Sequence, residues 1–254
     1  MLRLKDGDTV SGRYRIVKEI GSGNMGTVFQ VTQLSIKADR AMKVLDPKLD
    51  NIKREVVLRE FRGEIQKLSQ LTHRNLVKLI DADSVEPCGE EPLYYVMDLV
   101  RPPQGLDRPL TMEGWATGIK SREAFVDIIL QLTNGLAYLH SRGFMHCDIK
   151  PKNILLEPVS ADSYDVKIGD LGASKLIPQT PSSDAHQTYV IGTPVYCPLY
   201  AIQVVNAKPI GQEELLEWFP HFDIFCLGAS LAEVVSEERI TSVSRNFGDM
   251  LARC

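Results

Sequence analysis

The sequence predicts an α+β chain of two lobes, a small antiparallel-sheet lobe with one helix followed by a larger, mostly helical lobe. Three observations carry this. Residues 14–45 contain three runs rich in alternating apolar and β-branched residues, YRIVKEI, TVFQVTQL and RAMKVL, parted by Gly-rich or polar breaks. Over residues 53–71 the apolar period changes to steps of three or four. Past a Pro-containing stretch, RPPQGLDRPL, the longest patterned segment is again helical, residues 121–141. The lobes are expected at 1–99 and 100–254.

Each element has its own signature. In the first helix Val57, Phe61, Glu64, Leu68 and Leu71 share one face, and only Glu64 is polar. A carboxylate turned inward wants a cation. LVKLIDADSV and PLYYVMDLV read as two further strands. The helix at 121–141 presents Phe125, Ile128, Ile129, Leu132, Leu136 and Leu139 on its buried side. NILLE and DVKIGD are short strands around a polar turn, PVSADSY, and residues 175–186 read as a mobile loop. Helix returns over 223–236.

Bulk properties exclude several classes. The chain of 254 residues carries a net charge of -4, which argues against nucleic acid or an anionic membrane as the main partner. Five scattered cysteines without a C-x-x-C pair suit neither a disulfide framework nor a zinc site, so a cytoplasmic location is expected. No run approaches the ~20 apolar residues of a spanning helix.

Chemistry is concentrated in four places. GSGNMGTV sets Gly21, Gly23 and Gly26 in G-x-G-x-x-G spacing, with Ser22, Asn24 and Met25 between them. Glycine lets backbone N–H groups approach phosphate oxygens closely. Alone, this spacing is a weak signal, more often an ordinary hairpin turn than a nucleotide loop. A strand rather than a helix follows it, which removes a dinucleotide fold. Lys43 lies one strand later among apolar neighbours; it either snorkels to solvent or meets an anion, and Glu64 offers the complementary charge. HCDIKPKNIL supplies Asp148 to orient an attacking hydroxyl, Lys150 to offset phosphoryl charge, and Asn153 as an amide ligand for a metal ion. IGDLG adds Asp170 as a second metal ligand.

In this order, over residues 14–236, these motifs resemble the eukaryotic-type protein kinase superfamily, and in particular the bacterial eukaryote-like Ser/Thr kinases. The resemblance implies the bilobal kinase fold, ATP as co-substrate with Mg²⁺ on Asn153 and Asp170, and transfer of the γ-phosphate to a protein Ser or Thr. It implies that Lys43, paired with Glu64, holds the phosphates. It implies that Val28, Ala41 and Leu155 sandwich adenine, with Met97 as gatekeeper and the backbone of Asp98 to Val100 as hinge. Leu68, His146 and Leu171 fit the family's apolar spine. Lys150 two residues after Asp148, together with Thr193 in GTPVY, resembles Ser/Thr rather than tyrosine kinases.

The chain also departs from the pattern. Residues 197–200, CPLY, replace the usual Ala-Pro-Glu, and few residues follow the αF-like HFDIFCLGASL with its anchor Asp223, so a shortened C-lobe is expected. These departures keep an inactive kinase-like scaffold as the alternative, with a small-molecule kinase behind it. Cys147 stands where the family has an arginine that reads an activation-loop phosphate. Alanine at Thr180, Ser182, Ser183 and Thr188 together should therefore leave the phosphotransfer rate within about twofold of wild type; a hundredfold loss in a steady-state assay would contradict this.

Overall fold

The computed structural model describes residues 4–23, 26–45, 51–82, 93–116, 121–176, 193, 195–198 and 212–236. They belong to two compact units, Met1–Pro109 and Leu110–Cys254.

The first unit is built on a six-stranded antiparallel sheet of order β1-β2-β3-β4-β6-β5. Its strands are β1 (Thr9–Val10), β2 (Tyr14–Gly23), β3 (Gly26–Gln33), β4 (Ala38–Leu45), β5 (Leu79–Ala82) and β6 (Tyr94–Met97). Helix α1 (Asn51–Gln70) enters between β4 and β5. The two-residue β1 is too short to leave a periodic signal and was not expected from the sequence.

Residues opposite one another in an antiparallel pair point to the same side of the sheet. Val28 lies opposite Lys43, Lys43 opposite Tyr95, and Ala41 opposite Met97, so these five share one face. The other face carries Phe29, Val31, Met42, Val44, Tyr94 and Val96, which bury one another with Val10, Tyr14 and Ile16. Helix α1 lies on the Lys43 face, where Phe61 meets the Tyr95 ring at 5.3 Å. Phe61, Glu64, Leu68 and Leu71 are all buried, as the helical stripe requires. A polar clasp ties β2 to β5: Asp81 accepts from Tyr14 Oη at 2.6 Å and from Arg13 at 2.8 Å.

The second unit holds a three-stranded sheet of order β10-β9-β7, from β7 (Leu110–Thr111), β9 (Ile154–Ser160) and β10 (Ser163–Ile168). A short ladder joins β8 (Phe144–Met145) to β11 (Lys175–Leu176). The helices are α2 (Met112–Ala116), α3 (Arg122–Ser141) and α4 (Gln212–Ser236). Ser121 caps α3 by accepting the Ala124 N–H at 2.9 Å. Gln131 on α3 donates to the Tyr164 carbonyl and accepts the Val166 N–H, closing the free edge of β10.

Four expectations change. Phe125 and Ile129 are half-buried, and the buried stripe of α3 includes Ala124 and Gly135 in their place. The turn after NILLE shrinks to residues 161–162, because β9 runs on through Pro158. Proline is tolerated there since β7 pairs only with Leu155 and Leu156, so the far side of β9 at Pro158 has no ladder partner in β7. Residues 175–176 are strand rather than loop, and α4 begins at Gln212, well before Asp223. Asn24, Met25, Thr180, Ser182, Ser183 and Thr188 lie outside the described residues.

Gly26 opens β3 against β4, where a Cβ would run into the carbonyl of Val44. Its replacement is felt in the sheet whatever happens at the loop before it. Gly26→Ala should lower the unfolding free energy by about 1–3 kcal/mol in urea denaturation, and a change below about 0.5 kcal/mol would contradict the close approach.

Candidate active site

The first unit contributes a buried ion pair on a patterned face. Lys43 Nζ donates to both Glu64 oxygens at 2.9 Å. Glu64 is fully buried and the lysine side chain is 12% exposed, so the lysine does not snorkel to bulk water. The strand register explains the neighbours: Val28, Ala41 and Met97 flank Lys43 on the same face and give it an apolar surround. The glycine motif forms the end of the β2–β3 hairpin, with Gly23 opposite Gly26, Ser22 opposite Thr27 and Gly21 opposite Val28. Past Met97, the Asp98 N–H donates to the Lys78 carbonyl at 3.0 Å.

The second unit gathers Asp148, Lys150, Asn153 and Thr193. Asp148 Oδ1 accepts from Thr193 N at 2.9 Å and from its hydroxyl at 2.7 Å. Asp148 Oδ2 accepts from Lys150 Nζ at 2.7 Å and from Asn153 Nδ2 at 3.2 Å. Lys150 also donates to Thr193 Oγ1 at 2.9 Å. Four donors thus fix the direction of one carboxylate.

A hairpin register brings Asn153 and Asp170 into range. Ile154 opposes Ile168, so Asn153 just before β9 and Gly169 just after β10 meet at the open end, joined by Gly169 N–H to Asn153 O at 2.9 Å. Asp170 follows in the left-handed region, φ 57°, and is exposed. The Asn153 amide nitrogen donates to Asp148 O at 2.8 Å, which turns its oxygen away as a donor for a cation. Two oxygen donors of this kind fit a hard ion such as Mg²⁺, which takes its remaining ligands from water and phosphate. Among the described residues no group of three His, Cys, Asp or Glu could hold a metal unaided. Leu155 is half-buried on β9.

Asp223 on α4 holds the loop that carries Asp148. Its oxygens accept the N–H of His146 at 2.8 Å and of Cys147 at 2.9 Å, and His140 Nε2 lies 2.8 Å away. Burial pushes the Asp223 carboxyl up, yet the His140 and backbone hydrogen bonds outweigh it and hold the group below its ordinary value. His146 Nδ1 accepts the Asp148 N–H, so its Nε2 carries the proton given to the Gly169 carbonyl at 2.9 Å. Leu68, His146 and Leu171 are each buried.

Several functional contacts were not legible in the sequence. His140 has no motif around it. Tyr196 Oη donates to Glu233 on α4 at 2.6 Å, tying the end of the GTPVY segment down where the Ala-Pro-Glu glutamate is missing. Cys147 is fully buried, and Cys147, Cys197 and Cys226 are free thiols. The Cys226 thiol is pushed up by its hydrogen bond with Cys197 and then by burial, so it stays protonated. Tyr95 was read only as a strand residue, yet its hydroxyl reaches Glu64.

With this geometry in view, the comparison with known families is decisive: the protein kinase domain profile matches residues 14–251. The chain belongs to the protein kinase domain family. This kinase domain is 32% identical over 192 residues, 75% of the chain, to serine/threonine-protein kinase pkn3 of Myxococcus xanthus. It is 29% identical over 234 residues, 92% of the chain, to serine/threonine-protein kinase PknA of Mycobacterium tuberculosis. It is 28% identical over 190 residues, 75% of the chain, to serine/threonine-protein kinase PrkC of Bacillus subtilis. The chain spans 33%, 49% and 27% of these three proteins. Among its described residues no helix is long and apolar enough to cross a membrane.

The Asp223 anchor gives the kinase domain a pH signature. A carboxyl depressed from its ordinary value near 3.8 stabilises the fold fully above that value, and the stabilisation is lost as pH falls through the lower folded value. Asp223→Asn should flatten the fall of unfolding free energy below about pH 4 by up to one proton's slope. Asp223→Ala at pH 7 should remove about 3 kcal/mol or more, since it strands two buried amides. Denaturant titrations across pH 3–7 check both.

Proposed function

We propose that the kinase domain is a protein serine/threonine kinase that transfers the γ-phosphate of ATP to a protein hydroxyl in the cytoplasm. The observation that carries this is the Asp148–Lys150–Thr193 cluster. A lysine two residues after the aspartate, bonded to both the aspartate and the threonine of GTPVY, is the arrangement expected of an enzyme whose acceptor is an aliphatic hydroxyl. The names of pkn3, PknA and PrkC support the same reading. The three buried free thiols support a reducing compartment.

In this reading ATP supplies the phosphoryl group and Mg²⁺ neutralises its charge, the ion being held by Asn153 and Asp170. Lys43, kept in place by Glu64, binds phosphate oxygens, and the backbone at Gly21, Ser22, Gly23 and Gly26 covers them. Val28, Ala41, Met97 and Leu155 provide the apolar faces for adenine, with Asp98 and Val100 offering backbone groups to its edge. Asp148 accepts the hydrogen bond of the incoming hydroxyl and aligns its oxygen. Four donors hold the carboxylate in one direction, and its part is to orient the nucleophile. That suits a loose transition state in which charge stays on the phosphoryl oxygens. Lys150 supplies positive charge beside those oxygens.

The test is ³²P transfer from ATP–Mg²⁺ to a basic protein substrate, with Asp148→Asn run beside wild type. The variant should lose about 10²–10⁴-fold in kcat while retaining nucleotide-dependent thermal stabilisation. Equal transfer by both proteins would overturn the assignment.

A further inference from the structure

Tyr95 meets both halves of the ion pair and the helix that carries one of them. On β6 it lies directly opposite Lys43 on β4. Its hydroxyl donates to Glu64 Oε1 at 2.8 Å, the same oxygen that accepts one of the two Lys43 hydrogen bonds. Its ring faces Lys43 Nζ at 5.8 Å and packs on Phe61, one turn before Glu64, at 5.3 Å and 46°. The residue is 2% exposed.

We propose that Tyr95 is a positioning residue for phosphotransfer: by fixing the Glu64 carboxylate to the sheet, it fixes where Glu64 holds the Lys43 ammonium. This rests on the kinase reading above for its consequence in activity, though not for its geometry. The physical case begins with the carboxylate. Glu64 stands on a helix, Lys43 on a strand, and the lysine stem has four rotatable bonds, so the ion pair alone tolerates a sliding helix. A tyrosine has two rotatable bonds and reaches from rigid strand to helix. Its ring on Phe61 and its hydroxyl on Glu64 grip two successive turns on one helical face. A neutral donor to a buried, ionised acceptor is also among the stronger hydrogen bonds. The hydroxyl therefore restricts both the rotation of the carboxylate and the approach of α1, while the ring fills space that any large apolar residue could fill.

That division makes the hydroxyl separable from the packing. Tyr95→Phe keeps the ring and removes the donor; Tyr95→Met fills the space without a ring or a donor. Glu64→Ala removes the group through which the hydroxyl is proposed to act. Amide hydrogen exchange over residues 58–70 is measured without nucleotide for wild type, Tyr95→Phe, Tyr95→Met, Glu64→Ala and the Tyr95→Phe/Glu64→Ala double variant, and kcat/KM for ATP is measured on the same five proteins. Tyr95→Phe should raise exchange over these residues about tenfold and lower kcat/KM about tenfold or more, with Tyr95→Met at least as severe. In the Glu64→Ala background, Tyr95→Phe should change either quantity by less than about twofold. Wild-type exchange in Tyr95→Phe or Tyr95→Met, or effects of Tyr95→Phe and Glu64→Ala that simply multiply, would overturn the proposal. If wild type transfers no phosphate at all, the kinase reading fails, and the exchange cycle still decides whether Tyr95 fixes the helix through Glu64.

Discussion

One buried carboxylate governs the loop that carries Asp148. Asp223 receives two successive backbone N–H groups, from His146 and Cys147, and the His140 ring. Asp223 thus holds the two peptide N–H groups that lead into Cys147, which stands in the left-handed region at φ 65°. A side chain in the left-handed region carries strain of order 1–3 kcal/mol, which must be over-determined by its surroundings. The hydrogen bonds to Asp223 supply the determination. The direction of Asp148, the next residue, follows from it, and with that the meeting of Lys150, Asn153 and Thr193.

The replacement of arginine by Cys147 is intelligible in the same terms. An arginine there presents a charge that must be met by another anion, whereas the thiol is small enough to be buried completely and lies 3.9 Å from the Met145 carbonyl. The loop is thus held by α4 without an outward-facing cation. The end of the GTPVY segment is likewise tied to α4, through Tyr196 and Glu233. Helix α4 therefore organises both the loop of Asp148 and the segment of Thr193, through Asp223 of the αF-like motif and through Glu233, which stands in no motif.

That contrast sets what the sequence could disclose. The strands β2 to β6, helix α1, and the set Lys43, Glu64, Asp148, Lys150, Asn153 and Asp170 were legible because each sits in a local pattern of fixed spacing. Glu64 was legible by a physical argument too, as one carboxylate in an apolar stripe. Tyr95, His140 and Glu233 were not, because each acts through a partner 31 to 83 residues away. The turn after NILLE was misjudged because proline and serine signal a break, and only the absence of a β7 partner at Pro158 reveals why the strand continues.

The uninterrupted pairing of β3 with β4 and of β4 with β6 has an evolutionary consequence. Both ladders run without a register shift, whereas β2 against β3 and β5 against β6 contain irregularities. One residue inserted in β4 between Ala41 and Met42 would move Lys43 to the hydrophobic side of the sheet and send Met42 to face Glu64. Relatives of this chain should therefore vary in length along β2, at the hairpin of residues 34–37 and between β5 and β6, while the spacing from Ala41 to Lys43 stays fixed.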